Sequence, residues 1–436
     1  MSKKFLKVMS MLLIAVFVLA ACAPAATPEP AAPAEPAAPA EPAAPAATEA
    51  PAATEAPKAE PVKIVLWTKE GEADGGLQYV TSLTDAFTAA NPDVTFEVVN
   101  KEVETLREDF QTSSLAGNPP DLLWTVSDHA GPFTAADLIQ PVDDLVDLSK
   151  FVPSVAFDGK TWGAPISSGN HLMLLYNKDM VPTAPADTEE FVKVAQELTK
   201  DGTYGFAYNQ TEPFWLAPWL GGFGGTVFAA DGVTPTLNTP EMTATLQFLY
   251  DIKYTTPIVP AESDYNGADT LFKEGKAAMI VNGDWSLGDY KTALGDKLGV
   301  APLPMVKSTG KYPAPYTSGV YFMVPKTLEG AKLEAVKKFM EFTTSEENQI
   351  NMVKTLSRLP ALKVALEDPM IKDDPILAGS SMQMSYGTPM PVVLEMRCVW
   401  DGLKPEMQAV LANTKPAADA AAAAQTAAET CIKTLE

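Results

Sequence analysis

The sequence predicts an α/β fold built around a parallel sheet. Short runs of β-forming residues, typical of buried strands, occur at 62–67, 94–99 and 121–125. Apolar residues at helical spacing lie between these runs, at 77–90 and 102–115. Strands and helices that alternate in this way indicate a parallel α/β sheet, because a crossover helix returns the chain to the same end of the sheet.

Two kinds of loop stand out as candidate binding surfaces. Loops after the carboxyl ends of parallel strands bind ligands in such folds, which points to 68–76 and 126–133. Other loops are unusually aromatic, most of them with glycine, and we expect them to face a ligand rather than the core: 212–215, 219–225, 283–285 and 312–321. The glycine-rich run 221–225 lacks the lysine of a phosphate-binding loop and predicts a flexible loop. Towards the end of the chain, helices are predicted at 405–412 and 416–433.

The N-terminus carries the pattern of an export signal. Lysines 3, 4 and 7 precede an apolar run at 8–19, which is shorter than the roughly 20 residues that a membrane-spanning helix needs. We therefore interpret 1–21 as a signal peptide. Leu-Ala-Ala before Cys22 resembles a bacterial lipobox, in which the cysteine is lipidated and begins the mature protein. An ordinary signal peptide with a chance cysteine is the alternative.

Residues 22–61 are interpreted as the lipidated cysteine and a disordered tether. From residue 23 onward the segment holds almost only Ala, Pro, Glu and Thr, and it has no aromatic residue that could start a core. Its prolines favour an extended polyproline conformation and a reach on the order of 100 Å. The remaining 62–436 are long enough to favour two domains over one. The sequence thus predicts a globular body held outside the membrane.

Composition argues against several functions. Without the signal peptide the chain has 29 basic and 55 acidic residues, and this net charge of −26 opposes binding to nucleic acid or to anionic lipid. There is no zinc signature, nucleophile elbow or phosphate-binding loop, so neither a metal nor a cofactor is expected. A pair of carboxylates of the glycosidase kind is not excluded by counting acids. In an exported chain, Cys398 and Cys431 are an even pair that could form a disulfide or remain two buried thiols.

Several motifs follow one another in an order that matches a known family: the strand at 62–67, Ala-Phe to Asn-Pro at 86–92, Gly-Asn-Pro-Pro-Asp at 117–121, Asp-Gly-Lys to Ala-Pro at 158–165, Leu-Leu-Tyr-Asn-Lys at 174–178 and the long segment 272–285. With these motifs the chain resembles the extracellular solute-binding lipoproteins of bacterial ABC importers, in the maltose/oligosaccharide-binding group. The resemblance covers essentially all of the globular body.

The resemblance implies a two-lobed fold that closes on its ligand like a flytrap. Each lobe is expected to be a mostly parallel sheet flanked by helices, and the hinge to be crossed several times by the chain. The expected lobes are 62–168 plus 305–374, and 169–304 plus 375–436. The resemblance also implies a monomer that is not an enzyme, binds a carbohydrate and delivers it to the permease of the importer.

The candidate ligand-binding residues lie at or next to positions of the family's sugar contacts, apart from one tyrosine of the returning segment: Asp128, Asn170, Glu212, Phe214, Trp285, Tyr316 and Trp400. Asn170 stands where relatives have an acidic residue, and Trp400 lies within about one residue of the family position. Stacking rings and charged hydroxyl partners are what a pyranose needs once it leaves water. Plainer roles are open for each, such as a helix cap for Asp128 or core packing for Trp285. His129 is interpreted as a surface histidine, and Trp67 as the end of a buried strand.

The favoured function is therefore that of a receptor for a di- or oligosaccharide. The same scaffold could bind another solute, such as a polyamine or a glycerol phosphate, although the three arginines of the chain (107, 358 and 397) are few for a phosphate. A surface glycoside hydrolase is a second alternative and would consume its sugar. A purely adhesive surface protein is a third and would bind no small molecule.

Overall fold

The computed structural model describes residues 61–72, 74–152 and 155–435. The predicted signal peptide, the predicted lipidation site at Cys22 and all of the tether except Pro61 lie outside these residues. Among the described residues, no helix is both long enough and apolar enough to cross a membrane.

Strands and helices alternate through most of this body. The strands are β1 (Val62–Thr68), β2 (Val94–Asn100), β3 (Leu122–Val126), β4 (Ile139–Gln140), β5 (Ala156–Phe157), β6 (Lys160–Thr161), β7 (Ala164–Gly169), β8 (Leu172–Asn177), β9 (Tyr204–Tyr208), β10 (Ala277–Gly283), β11 (Leu298–Ala301), β12 (Tyr316–Pro325) and β13 (Thr388–Pro389). The helices are α1 (Gly76–Ala90), α2 (Val103–Leu115), α3 (Ala130–Ala135), α4 (Thr188–Leu198), α5 (Ala217–Phe223), α6 (Pro240–Tyr250), α7 (Tyr265–Lys273), α8 (Leu287–Leu294), α9 (Gly330–Thr343), α10 (Glu346–Leu356), α11 (Lys363–Leu366), α12 (Pro369–Asp373), α13 (Pro375–Met384), α14 (Glu395–Leu411) and α15 (Ala417–Ile432).

The first sheet has seven strands in the order β13–β12–β3–β1–β2, with β4 and β7 also paired to β12. β1 runs parallel to β2 and β3, as the alternation of strands and helices predicted. β12 runs antiparallel to β3 and β7. The chain leaves this sheet at the end of β7 and returns at the start of β12, so these two strands have to run in opposite directions. Ile64 and Leu66 of β1 are fully buried against α1 and α9.

The second sheet has four strands in the order β11–β8–β10–β9 and its own hydrophobic core. β9 is parallel to β10, whereas β8 is antiparallel to both β10 and β11. The strand directions in this sheet are thus mixed, and the expected mostly parallel arrangement is not found here. Alternation along the sequence carries no information on strands that are joined by long connections, which is why the pattern of helices and strands did not reveal it.

At least three connections join the two sheets in the described part of the chain. The first is the short crossing from β7 to β8, the second lies between β11 and β12, and the third follows α11, after which α13 packs on β11. Beyond α13, the short strand β13 pairs with the beginning of β12. The boundaries expected at 168/169, 304/305 and 374/375 fall in or beside these connections, and the assignment of each segment to a lobe stays a prediction.

The two C-terminal helices differ from their predicted bounds. α14 begins at Glu395 rather than at Pro405, which lies inside the helix. Proline at the first turn of a helix predicted the later start. The buried face of α14 continues past the proline, through Val399, Leu403 and Met407, and this packing keeps the helix intact. α15 packs closely on α14 through a stripe of buried alanines, and the structure joins the two helices by a disulfide between Cys398 and Cys431.

The glycine-rich run 221–225 is not a flexible loop. Gly221 and Gly222 belong to α5, and a Cβ at Gly221 would lie only 2.5 Å from the Cβ of Ala314. At Gly222 a Cβ would come within 2.7 Å of the side chain of Val306. The glycines therefore permit a close approach of α5 to the connection between β11 and β12. Trp219 in the same helix is 1% exposed and belongs to the core, not to a binding surface.

Candidate functional site

Asp128, Trp400 and Tyr316 form one group of predicted site residues. Asp128 lies in the turn that follows β3, and its half-buried carboxylate accepts a hydrogen bond from the side chain of Trp400 on α14. The Trp400 ring meets the ring of Tyr316 edge to face, with 6.1 Å between the centroids. Burial and the nearby charge of Glu104 raise the pKa of Asp128 to about 6. Because α14 packs on the core of the second sheet, this group joins the two halves of the molecule.

Phe214 and Trp285 form a second group, which is aromatic. Their ring centroids are 6.3 Å apart, and Trp215 lies 6.2 Å from the Trp285 ring. The indole N–H of Trp285 donates to the hydroxyl of Tyr265 at 3.1 Å. Sequence reasoning missed Tyr265, because it opens helix α7 and nothing in its neighbourhood distinguishes it from a residue of an amphipathic helix. The rings of Phe214 and Trp285 are each half-buried and so keep part of their surface accessible.

Glu212 connects these two groups. Its carboxylate forms an ion pair with Lys404 at 2.6 Å, and Lys404 lies one helical turn after Trp400 on α14. The side chains of Glu212 and Lys404 are 37% and 43% exposed. An ion pair as exposed as this contributes little to stability, so both groups are free to exchange partners. Two residues farther along the chain, Phe214 continues the site towards Trp285.

Asn170 lies in the crossing from β7 to β8. Its backbone N–H donates to the carboxylate of Asp284 at 3.1 Å, while its amide group reaches the hydroxyl of Ser318 at 3.5 Å. The backbone of Asn170 is left-handed, with φ of 47°. The residue thus reaches the Trp285 group through Asp284, the residue immediately before Trp285.

A buried ion pair beside Trp285 was also missed. Arg358 donates to the carboxylate of Glu70 at 2.8 Å, and Trp124 donates to the other oxygen of the same carboxylate at 3.0 Å. Burial alone would raise the pKa of Glu70, but the positive charges of Arg358 and Lys69 outweigh it and hold the pKa at about 2. Arg358 also donates to the backbone carbonyl of Trp285 at 3.4 Å. The loop 68–76 was singled out from the sequence, but its partner 288 positions away carried no sequence signal.

A cavity of about 870 Å³ lies beside these groups, where the connections between the sheets meet. Of the seven predicted site residues, only Tyr316 lines it, although Ser127 and Gly169 in its wall are neighbours of Asp128 and Asn170. Among the described residues that line the cavity, none carries a charged side chain. The polar and charged part of the candidate site is therefore next to the cavity and not around it.

The structure also corrects one minor interpretation, that of His129. His129 is 1% exposed and not a surface residue, and its Nδ1 lies 2.8 Å from the hydroxyl of Thr125. Burial lowers the pKa of His129 to about 3, so the ring is neutral at physiological pH. Trp67 is the last residue but one of β1, one position before the end of the strand, and the ammonium of Lys101 lies 4.3 Å from its ring. Within the described part of the chain, no group of three or more acidic, histidine or cysteine side chains could hold a metal ion.

Residues 82–379 match a family model whose description is bacterial extracellular solute-binding protein. A maltotriose-binding protein of Pyrococcus abyssi is 29% identical over 368 residues, which are 81% of this chain and 79% of that protein. A maltooligosaccharide ABC transporter solute-binding lipoprotein of Streptococcus pneumoniae is 28% identical over 340 residues, or 73% and 78% of the two chains.

A solved structure gives a further comparison. The maltose/maltodextrin-binding domain from Bdellovibrio bacteriovorus, bound to maltotriose, is 36% identical to this chain with a TM-score of 0.82. The match covers 85% of this chain and 100% of that domain. This likeness confirms the predicted fold class, a two-lobed α/β binding protein.

Proposed function

Since this chain belongs to the family of bacterial extracellular solute-binding proteins, we propose that it is the receptor of an ABC-type sugar importer and binds a short maltodextrin such as maltotriose. The observation that carries this proposal is the aromatic group of Trp285 and Phe214, which the ion pair of Glu212 and Lys404 connects to the group of Asp128 and Trp400. Relatives that bind maltotriose or maltooligosaccharides support the choice of sugar.

The chemistry of these side chains suits a glucose chain. The C–H faces of a pyranose ring stack on an aromatic ring, and Trp285 and Phe214 offer two such rings near each other. Sugar hydroxyls need charged hydrogen-bond partners when they leave water, and Asp128, Glu212 and Lys404 offer these. With a pKa of about 6, Asp128 is mostly ionised at neutral pH and can accept hydrogen bonds from two hydroxyls.

We further propose that binding closes the two halves of the molecule. Contacts already run between elements of the two sheets, from Trp400 to Asp128 and from Arg358 to the carbonyl of Trp285. A ligand that touches residues of both halves favours the closed arrangement, because only there can it make all of its contacts.

The location of the receptor is part of the same proposal. Membership of an extracellular family supports a place outside the cytoplasm. A lipid on Cys22, with 22–61 as the tether, would hold the receptor at the membrane, and the lipoprotein relative of Streptococcus pneumoniae supports this anchor. Replacement of Cys22 by alanine should release the protein from the membrane fraction, and retention of the variant there would contradict a lipid anchor.

We propose that the receptor acts as a monomer without catalysis. The relatives are binding proteins by name, and a receptor has to deliver its sugar intact. The rival hydrolase would shorten maltotriose over time, so chromatography of the sugar after incubation separates the two functions.

The proposed function is tested by calorimetry on residues 23–436 with maltotriose, and with spermidine and glycerol 3-phosphate as control ligands. We expect heat of binding for maltotriose alone, and at 100 times its Kd the sugar should add about 2.7 kcal/mol to the free energy of unfolding. Trp285→Ala should weaken binding at least tenfold. Trp162→Ala, which removes a half-buried tryptophan of the β5–β6 region, should not. Binding of a control ligand instead of sugar would contradict the proposal.

A further inference from the structure

The crossing from β7 to β8 has an unusual backbone. Gly169 has φ of 104° and Asn170 has φ of 47°, so two consecutive residues lie in the left-handed region. Left-handed conformations are uncommon for residues other than glycine and persist where surrounding contacts hold them. The contact that holds this crossing therefore determines how the two sheets are joined there.

Asp284 provides that contact with both its side chain and its backbone. Its carboxylate accepts the N–H of Asn170 at 3.1 Å, and its own N–H donates to the carbonyl of His171 at 3.3 Å. A Cβ at Gly169 would lie 2.4 Å from the same carboxylate oxygen. Asp284 is only 2% exposed. Asp284 thus contacts three consecutive residues of the crossing, Gly169 and Asn170 through its side chain and His171 through its backbone.

Asp284 is also fixed to the aromatic group, because Trp285 follows it directly. The Trp285 ring folds back over Gly283, where a Cβ would come within 2.1 Å of the ring. Its indole N–H is bonded to Tyr265, and its carbonyl accepts from Arg358 on the first-sheet side. The ring can therefore move only together with the turn that contains Asp284.

We propose that Asp284 is a positioning residue, which transmits the contact between the ligand and Trp285 to the crossing between the two sheets. The inference rests on the proposed function, since it assigns to Asp284 the step between sugar binding and the movement of the two halves. A sugar that settles on Trp285 fixes the turn, and the turn fixes the backbone of Asn170 through one hydrogen bond.

The test measures maltotriose affinity by calorimetry and hydrogen exchange at the Asn170 amide, on residues 23–436. In the wild type, maltotriose should slow exchange at Asn170. Asp284→Ala should speed this exchange in the absence of sugar, abolish its response to sugar and weaken binding at least tenfold. Asp284→Asn keeps an oxygen that can accept the Asn170 N–H, so its affinity should stay within threefold of the wild type.

Asp121→Ala is the matched control. Asp121 is 8% exposed and its carboxylate also accepts one backbone N–H, that of Val65 at 2.8 Å, but it has no contact with the crossing. Its loss should cost stability and leave the affinity for maltotriose unchanged. This control shows whether a weaker affinity for maltotriose follows from lower stability in general or from the loss of the contact between Asp284 and the crossing.

Three results would overturn the inference: wild-type affinity in Asp284→Ala, equal weakening in Asp284→Asn and Asp284→Ala, or exchange at Asn170 of the wild type that does not respond to sugar. The last measurement decides the matter even if Asp284→Ala does not fold. Failure of the wild type to bind any maltodextrin would refute the proposed function. Hydrogen exchange at Asn170, compared between the wild type and Asp284→Ala without sugar, would still show whether Asp284 holds the crossing. Equal exchange rates in the two proteins would refute that role.

Discussion

Replacement of Arg358 by methionine should destabilise the protein strongly, because it leaves the carboxylate of Glu70 buried without its main partner. Arg358 and Glu70 are 3% and 1% exposed and lie 2.8 Å apart. Removing one member of a buried ion pair typically costs 3–5 kcal/mol, since the remaining charge has lost both water and its partner. Lys69 lies 3.3 Å from the other oxygen of Glu70 and offsets part of this loss. We therefore expect a loss of about 3 kcal/mol in the free energy of unfolding.

The assay is urea denaturation followed by circular dichroism, with Glu70→Gln/Arg358→Met as the second variant. Glutamine keeps an oxygen that can accept the indole N–H of Trp124 and removes the unpaired charge. The double variant should therefore recover to within about 1 kcal/mol of the wild type, because replacing a whole buried pair is often nearly neutral. If the free energy of unfolding depends on urea concentration with the same slope in the wild type and both variants, the comparison reports stability alone.

Two results would refute this reasoning. If Arg358→Met were within about 1 kcal/mol of the wild type, the buried pair would not need its arginine. If the double variant were as unstable as Arg358→Met, the loss would come from packing or from Asp74, which lies 3.5 Å from Arg358, and not from the charge of Glu70. Because Arg358 also donates to the carbonyl of Trp285, we expect the single variant to bind maltotriose more weakly as well.

Two further predictions concern stability. The disulfide between Cys398 and Cys431 closes a loop of 33 residues, for which chain entropy predicts about 4 kcal/mol, so Cys398→Ser/Cys431→Ser should lose that amount in urea denaturation; an unchanged midpoint would contradict it. Acid should also destabilise the protein. Burial lowers the pKa of His129 from 6.5 to about 3, and the pKa of Glu70 is lowered from 4.5 to about 2. The stability from each group is present above its ordinary pKa and is lost as the pH falls towards its folded value. Asp128, whose pKa is raised from 3.8 to about 6, contributes in the opposite direction below that pH. Urea denaturation at pH 7, 5.5 and 4 measures the combined effect of the three groups on the free energy of unfolding, and equal stability at all three pH values would contradict the prediction.

The local sequence pattern was sufficient to predict those strands and helices in which buried residues recur at a regular period. β1 was predicted at 62–67 and extends over Val62–Thr68, because Ile64 and Leu66 alternate with more exposed neighbours. Helix α1 was predicted at 77–90 and extends over Gly76–Ala90. In such segments the spacing of apolar residues depends only on the geometry of the strand or helix, so the type and bounds of the element can be predicted from the sequence.

The candidate site was predictable only in part. Trp285, Phe214 and Asp128 were found because they resemble family positions, and the structure places them in two groups that Glu212 connects. These assignments stay predictions until a ligand is measured. The Arg358 pair could not be foreseen, since its partners are far apart in the chain and a buried charge looks like a surface charge in a sequence.

The run 221–225 shows how the same residues can support opposite conclusions. Glycines in a loop predict flexibility, and Gly221→Ala would then be neutral or stabilise by up to about 1 kcal/mol, because alanine restricts the unfolded chain. In the structure the new Cβ would lie 2.5 Å from the Cβ of Ala314, and neither atom can rotate away. We therefore expect a loss of about 1–3 kcal/mol in urea denaturation, even though alanine favours a helix. Gly71→Ala is the control, because its nearest neighbour would be 3.9 Å away. A stabilised Gly221→Ala would show that α5 does not need its close approach to Ala314.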